Sequence, residues 1–294
     1  MSISEKLSAS AAPAPLAGKL HVYDPPQRLV AFESGCLTAS NVLVFVGGLG
    51  DGLSAIPVLP LLSAALENMS PPWSLVQILT RSSYLGWTSG DVDLDAEDLS
   101  KLEEYLRASK GKDGKLVLLG HSTAILQAPV SDRQYHENKR PRLDLEKSLS
   151  SATAQIDAGK GDFPLPVDVL QAVRMSKTGP PDPITARRWH SLAAKGGKED
   201  YFSSDLSDDQ LAENFRPFRE TGKICCNLLG DEDESYPDFV NKQELLSRFE
   251  KASGASDRGH SHSAVLMGSN HEIDSSESSM QDFVSKVTTF LQDL

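Results

Sequence analysis

Cysteine is scarce in this chain of 294 residues: there are three, and two of them, Cys225 and Cys226, are neighbours. That rules out a disulfide framework and points to a reducing compartment. Basic residues are also in deficit, 29 against 41 acidic, for a net charge of −12. A surplus of that sign repels phosphate backbones and anionic lipid, so nucleic acid and membrane surfaces are poor partners. Long hydrophobic runs are missing too. The best, Val42–Val46 and Val58–Leu66, are far too short to span a bilayer. Met1–Leu16 has no continuous apolar stretch of the kind a secretory signal needs. Its Ala11-Ala12-Pro13-Ala14-Pro15 run makes residues 1–18 a flexible lead-in. These absences leave a cytoplasmic protein, with 39% hydrophobic residues to build a sizeable core.

What is present is a rhythm of short apolar runs and helical patterns. Asn41–Val46 is a continuous, largely β-branched run ending in glycines, as expected of a strand buried on both faces. Leu53–Leu66 follows at helical spacing, then a strand over Leu75–Leu79. A helix over Asp95–Leu106 aligns Leu99, Leu102 and Leu106, and Lys115–Leu119 is another buried strand. The rhythm resumes with strands over Lys223–Leu229 and Ser263–Met267, a helix over Phe239–Glu250 between them, and a last helix carrying Met280, Phe283, Val284, Val287, Phe290 and Leu291 on one stripe. Such alternation predicts an α/β protein with a mainly parallel sheet, built from residues 19–132 and 218–294. Residues 133–217 are polar and rich in charge, proline and glycine, and read as an inserted cap or lid.

The strand Lys115–Leu119 runs directly into Gly120-His121-Ser122-Thr123. A G-x-S at the carboxyl end of a buried strand is the start of a nucleophile elbow, where a sharp turn lifts the hydroxyl off the sheet edge. Alone the motif is weak, and an ordinary turn explains it about equally well. Two further loops match it. One is Gly230-Asp231-Glu232-Asp233-Glu234-Ser235-Tyr236-Pro237, and the other is Gly268-Ser269-Asn270-His271. Each follows a strand's carboxyl end, the edge where open α/β sheets build their sites. The order serine, acid, histidine is that of α/β-hydrolases.

The chemistry needs all three residues. Serine is a weak nucleophile until histidine takes its proton, and a carboxylate orients the imidazole. Ser122 is the expected nucleophile and His271 the base. Asp233 is the expected acid, with Glu234 as runner-up and the other carboxylates solvated. Val46-Gly47-Gly48-Leu49-Gly50-Asp51-Gly52 stands where hydrolases supply oxyanion N–H groups, so Leu49 and Thr123 are the expected donors. A phosphate cradle is the weaker alternative, because the G-x-G-x-x-G spacing fails at Leu53 and Asp51 would repel an anion. His260 and His262 read as exposed loop residues rather than metal ligands, and His121 and His190 as polar contacts. No cofactor or metal is called for.

With these residues in place the chain resembles a fungal and plant branch of the α/β-hydrolases, long known as a domain of unknown function, which includes fungal siderophore esterases. The likeness lies in Phe45–Leu53, Arg81–Trp87, Gly120-His121-Ser122-Thr123, Ala128–Arg133, the Asp233-Glu234…Pro237 turn and Gly268–His271. The resemblance implies a serine esterase that cleaves fusarinine-type hydroxamate siderophores inside the cell, releasing iron, with the small-molecule ester as its partner. In that family a helix separates the serine elbow from a Q-A-P-V-S-D strand. Here Thr123 runs straight into Ala124–Val130, so the helix reads as missing. Parallel neighbours need a crossover of roughly a dozen residues or more, and the expectation is a shortened chain with a compromised site. The alternatives are a hydrolase-fold protein that binds without turnover, and an esterase or thioesterase for another acyl compound. Arg187, Arg188 and Trp189 are candidate pocket residues, though an exposed cap helix explains them equally well.

Overall fold

Six consecutive buried residues in β3 (Asn41–Val46) and six more in β4 (Trp73–Ile78) form the centre of the main sheet. The structure is a computed structural model and describes residues 15–122, 144–173, 180–254 and 262–294. β1 (Lys19–Asp24) and β2 (Leu29–Gly35) form an antiparallel hairpin, and β5 (Leu116–Gly120) closes the other side. The strand order is β1-β2-β4-β3-β5, with β2 antiparallel to β4, and β3 parallel to both β4 and β5. β6 (Leu228–Gly230) and β7 (Ala264–Leu266) pair in parallel as a separate two-stranded sheet. The architecture is α/β, with parallel pairing at β4-β3-β5 and β6-β7 and helices packed against the strands.

Alternation along β3 divides the interior. Leu43 and Phe45 face a core built with α1 (Leu59–Glu67) and α9 (Glu277–Gln292), including Leu62, Phe283 and Leu291. Val42, Val44 and Val46 face the opposite side, against Leu102 and Leu106 of α2 (Val92–Lys110). The helix predicted from Leu53 begins instead at Leu59. Proline belongs in a first turn, where its missing N–H leaves nothing unsatisfied, and Pro60 occupies that place in α1.

Residues 144–221 hold α3 (Leu145–Asp157), α4 (Val167–Val173), α5 (Ala186–Ala193), α6 (Asp208–Asn214) and α7 (Arg216–Thr221). Leu145, Ala152, Leu170, Trp189 and Leu192 form a core of their own there, joined by Trp87 from the 3₁₀ turn Tyr84–Thr88. Trp189 Nε1 donates to Ser148 Oγ at 3.0 Å, tying α5 to α3. Phe215, just before α7, is buried against Phe249 of α8 (Lys242–Ser253). Among the described residues no helix is long and apolar enough to cross a membrane.

The strand predicted over Lys223–Leu229 shrinks to Leu228–Gly230, paired among the described residues only with β7. A cavity of about 840 Å³ lies between Leu116–Leu119 of β5 and Ile224–Leu229. The second sheet therefore pairs with nothing on that side among the described residues.

Candidate active site

Register brings the candidate residues to one edge. Val46 of β3 lies opposite Gly120 of β5, and the His121 N–H donates to the Val46 carbonyl at 3.1 Å. The loops after β3 and β5 thus leave the sheet side by side. Ser122 follows at φ +56°, a left-handed conformation that side chains with a Cβ rarely adopt. This is the turn expected of an elbow. Glycine is required opposite it: a Cβ on Gly48 would stand 2.7 Å from Ser122 Cβ.

The Ser122 hydroxyl lies 2.9 Å from His271 Nε2. On the other side of the ring, His271 Nδ1 is 3.0 and 3.1 Å from the two Asp233 oxygens and 2.9 Å from Ser235 Oγ. An ionised carboxylate only accepts, so Nδ1 carries the proton and Nε2 is free to accept from serine. Glu234 does not reach the imidazole; it accepts the main-chain N–H of His271 at 3.1 Å. Lys242 closes the acid loop from below, donating to the carbonyls of Asp231 and Asp233.

Burial by itself would raise the Asp233 carboxyl. The hydrogen bond and charge of His271, with the Ser235 N–H, outweigh it and hold the group below the usual range. For His271 burial would favour the neutral ring, but the Asp233 hydrogen bond and charge, helped by Glu272 and Glu234, raise it above its ordinary value. The Lys242 ammonium is lowered by burial, against the pull of the surrounding carboxylates.

Leu49 is half-buried on the loop beside Ser122, and Thr123 lies outside the described residues. The neighbouring Gly48 N–H is already engaged, donating to Asp51 Oδ2 at 2.6 Å. That carboxylate occupies the place an anion would need in the phosphate-cradle alternative. His121 meets the His271 carbonyl, while His262 meets Asp293 and the edge of Phe290. His190 is half-buried in α5, and His260 lies outside the described residues. No group of three metal-ligating side chains occurs among the described residues.

Of the Arg-Arg-Trp run, Arg187 and Trp189 depart from the pocket expectation and Arg188 alone lies at a cavity. Trp189 is core, and Arg187 pairs with Asp162 at the surface. Arg188 is 3% exposed, ion-paired with Glu199, and donates to the Trp87 carbonyl. It helps line a small cavity of about 100 Å³ beneath Gly47–Leu49. Ser235 and Asp51 were missed as partners. For Ser235 a signal existed: Asp-x-Ser is an Asx-turn pattern, and the Ser235 N–H donates to Asp233 Oδ1 at 2.8 Å.

The family described as "Protein of unknown function (DUF1749)" matches this chain over residues 7–124 and 123–292. The chain belongs to that family. The fusarinine C esterase sidJ of Aspergillus fumigatus is 31% identical to it, across 81% of this chain and 83% of that protein. The siderophore hydrolase EstB from Aspergillus fumigatus superposes with a TM-score of 0.77 at 29% identity, covering 95% of this chain and 98% of that one. An α/β-hydrolase-fold protein of unknown function superposes with a TM-score of 0.59 at 18% identity, covering 96% and 97%, which speaks for the fold alone.

The family pattern is met in two stretches that join at Thr123 and Ala124, immediately after the elbow. The alignment with the sidJ esterase runs to 298 positions, more than the 294 residues of this chain, of which only 81% take part. The relative therefore has residues inside the aligned span that this chain lacks. One of these relatives is named an esterase and another a siderophore hydrolase, and this chain is a hydrolase of the same fold.

Proposed function

We propose that this chain is a serine ester hydrolase acting, without a cofactor, on fusarinine-type hydroxamate siderophores inside the cell. The observation that carries the reading is the relay from Ser122 Oγ through His271 to Asp233, with 2.9 and 3.0 Å links. Ser122 attacks the ester carbonyl as His271 Nε2 takes its proton, and Asp233 stabilises the imidazolium. Main-chain N–H groups of Leu49 and Thr123 receive the oxyanion. As the tetrahedral intermediate collapses, His271 returns the proton to the leaving alcohol. Water then repeats the sequence on the acyl-enzyme, freeing the acid and Ser122. The substrate class is supported by the names of the Aspergillus fumigatus relatives. The intracellular setting is supported by three free cysteines. The ferric ion belongs to the substrate.

A second reading is favoured by the family match, which falls in two stretches that meet at Thr123 and Ala124. The crossover after Thr123 is shortened, and the chain holds its ligand with little or no turnover. The test treats purified protein with a fluorophosphonate and maps the adduct by mass spectrometry, with a ferric fusarinine-type trihydroxamate ester assayed in parallel. An adduct on Ser122 that vanishes in His271→Ala, together with ester cleavage, is the expected result. A folded sample that binds the ester but yields neither adduct nor product would put the second reading first.

A further inference from the structure

The three loops that carry the site leave separate strands, and nucleophile, base and oxyanion donors must converge to within about half an ångström. The Ser122–His271 hydrogen bond cannot hold them, because it breaks in every turnover. A second set of contacts runs beside it. His121 Nε2 donates to the main-chain carbonyl of His271 at 2.9 Å. Its other ring nitrogen, Nδ1, lies 3.5 Å from Asp51 Oδ2 and forms an ion pair with it when the ring is protonated. The same Asp51 oxygen accepts the Gly48 N–H, and Gly48 is the residue pressed against Ser122. The chain of contacts thus joins the loop after β3, the elbow after β5 and the loop after β7. The His121 and His271 rings lie 5.1 Å apart, tilted by 49°.

We propose that Asp51 and His121 are a positioning pair that straps the base His271 to the oxyanion loop and adds a fixed negative charge to its surroundings. This rests on the hydrolase reading above. His271 is faced by Asp233 and Glu234 from the loop after β6, by Glu272 on its own loop, by His121 from the elbow and by Asp51 from the loop after β3. Glu272 is raised by burial and so carries its charge least readily. Burial also acts on Asp51, but His121 and the Gly48 N–H hold it ionised. The charge of His271 is among those that hold Asp51 ionised, so the Asp51 carboxylate adds, behind Asp233, Glu272 and Glu234, to what favours the imidazolium form that stores the serine proton during attack.

The strap is tested first without any substrate. Histidine-¹⁵N-labelled wild type, Asp51→Asn and His121→Ala are titrated by long-range ¹H–¹⁵N correlation spectra. Asp51→Asn is expected to move the His271 titration to lower pH by about half a pH unit or more. In the second arm fluorophosphonate labelling of Ser122 is timed. His121→Ala is expected to slow it about tenfold or more, with His121→Gln, whose amide can still donate to the carbonyl, recovering part of the loss. An unmoved His271 titration in folded Asp51→Asn overturns the electrostatic role. An unchanged labelling rate in His121→Ala overturns the strap. Should wild type take no label at all, the hydrolase reading fails. The titration and the tautomer of the His121 ring still decide the pair, because a ring that does not donate from Nε2 excludes it.

Discussion

Ser122 sits in a conformation that costs a residue with a Cβ about 1 kcal/mol, and the surrounding contacts sustain it. Two substitutions separate strain from chemistry. Ser122→Gly and Ser122→Ala should both lose all fluorophosphonate labelling, yet the glycine variant should be more stable by about 1 kcal/mol in urea unfolding. Equal stabilities would mean that the elbow is unstrained. The relay also fixes a sign for pH. In the proposed mechanism attack needs neutral His271, whose titration is raised by Asp233, so the labelling rate should fall as pH drops through a value above the ordinary 6.5 of histidine. Asp233→Asn removes the charge that favours the imidazolium. It should move that limb to lower pH and reduce kcat by roughly 10⁴-fold. At this scale the serine, the acid and the histidine were legible, because each follows an apolar strand that ends in glycine. Asp51 was not. It was weighed only as a charge that repels anions, whereas its function depends on a register between β3 and β5 that no local pattern announces.

At the scale of elements, the apolar runs in β3 and β4 identified themselves and are buried on both faces, whereas β5, equally apolar in sequence, is only partly buried. β1 and β2 did not. His21, Asp24, Glu33 and Ser34 are buried there, so polar residues interrupt the pattern that marks a strand. The helices of residues 144–221 were hidden by the same kind of compromise, since Arg188 sits in the interior only because Glu199 meets it. Arg188→Met should reveal that dependence. Removing one member of a buried pair costs about 3–5 kcal/mol, so thermal and urea stability at pH 7 should drop accordingly. The sign with pH follows from Glu199, which burial pushes up to about 7 from an ordinary 4.5. Its neutral form is the one the fold tolerates, so the variant should be least impaired below pH 4.5 and lose stability steadily as pH rises. A loss independent of pH would assign the effect to packing of the Arg188 stem instead.

For the whole molecule, the decisive feature is the gap between the two sheets. Composition and alternation announced a parallel sheet, and the abrupt passage from Thr123 to Ala124 announced a connection too short for it. What could not be read from sequence was that, among the described residues, the two sheets stand apart with a cavity of about 840 Å³ between them. Supplying the sidJ esterase's own residues between Thr123 and Ala124 should raise Tm by on the order of 10 °C and accelerate labelling of Ser122. Calorimetry and the adduct time course read both, and an unchanged Tm would show that the gap is not a defect. The division has a further outcome. β5 is an outer strand among the described residues, and Leu118 on it is 43% exposed. An exposed apolar side chain such as this is a recognition signal for the machinery that triages incompletely folded proteins. Pulse-chase in the host cell should show this chain cleared faster than a version with the restored connection. The amount of ester cleaved would then be set by how long each copy survives, and proteostasis would govern the output of the site before catalysis does.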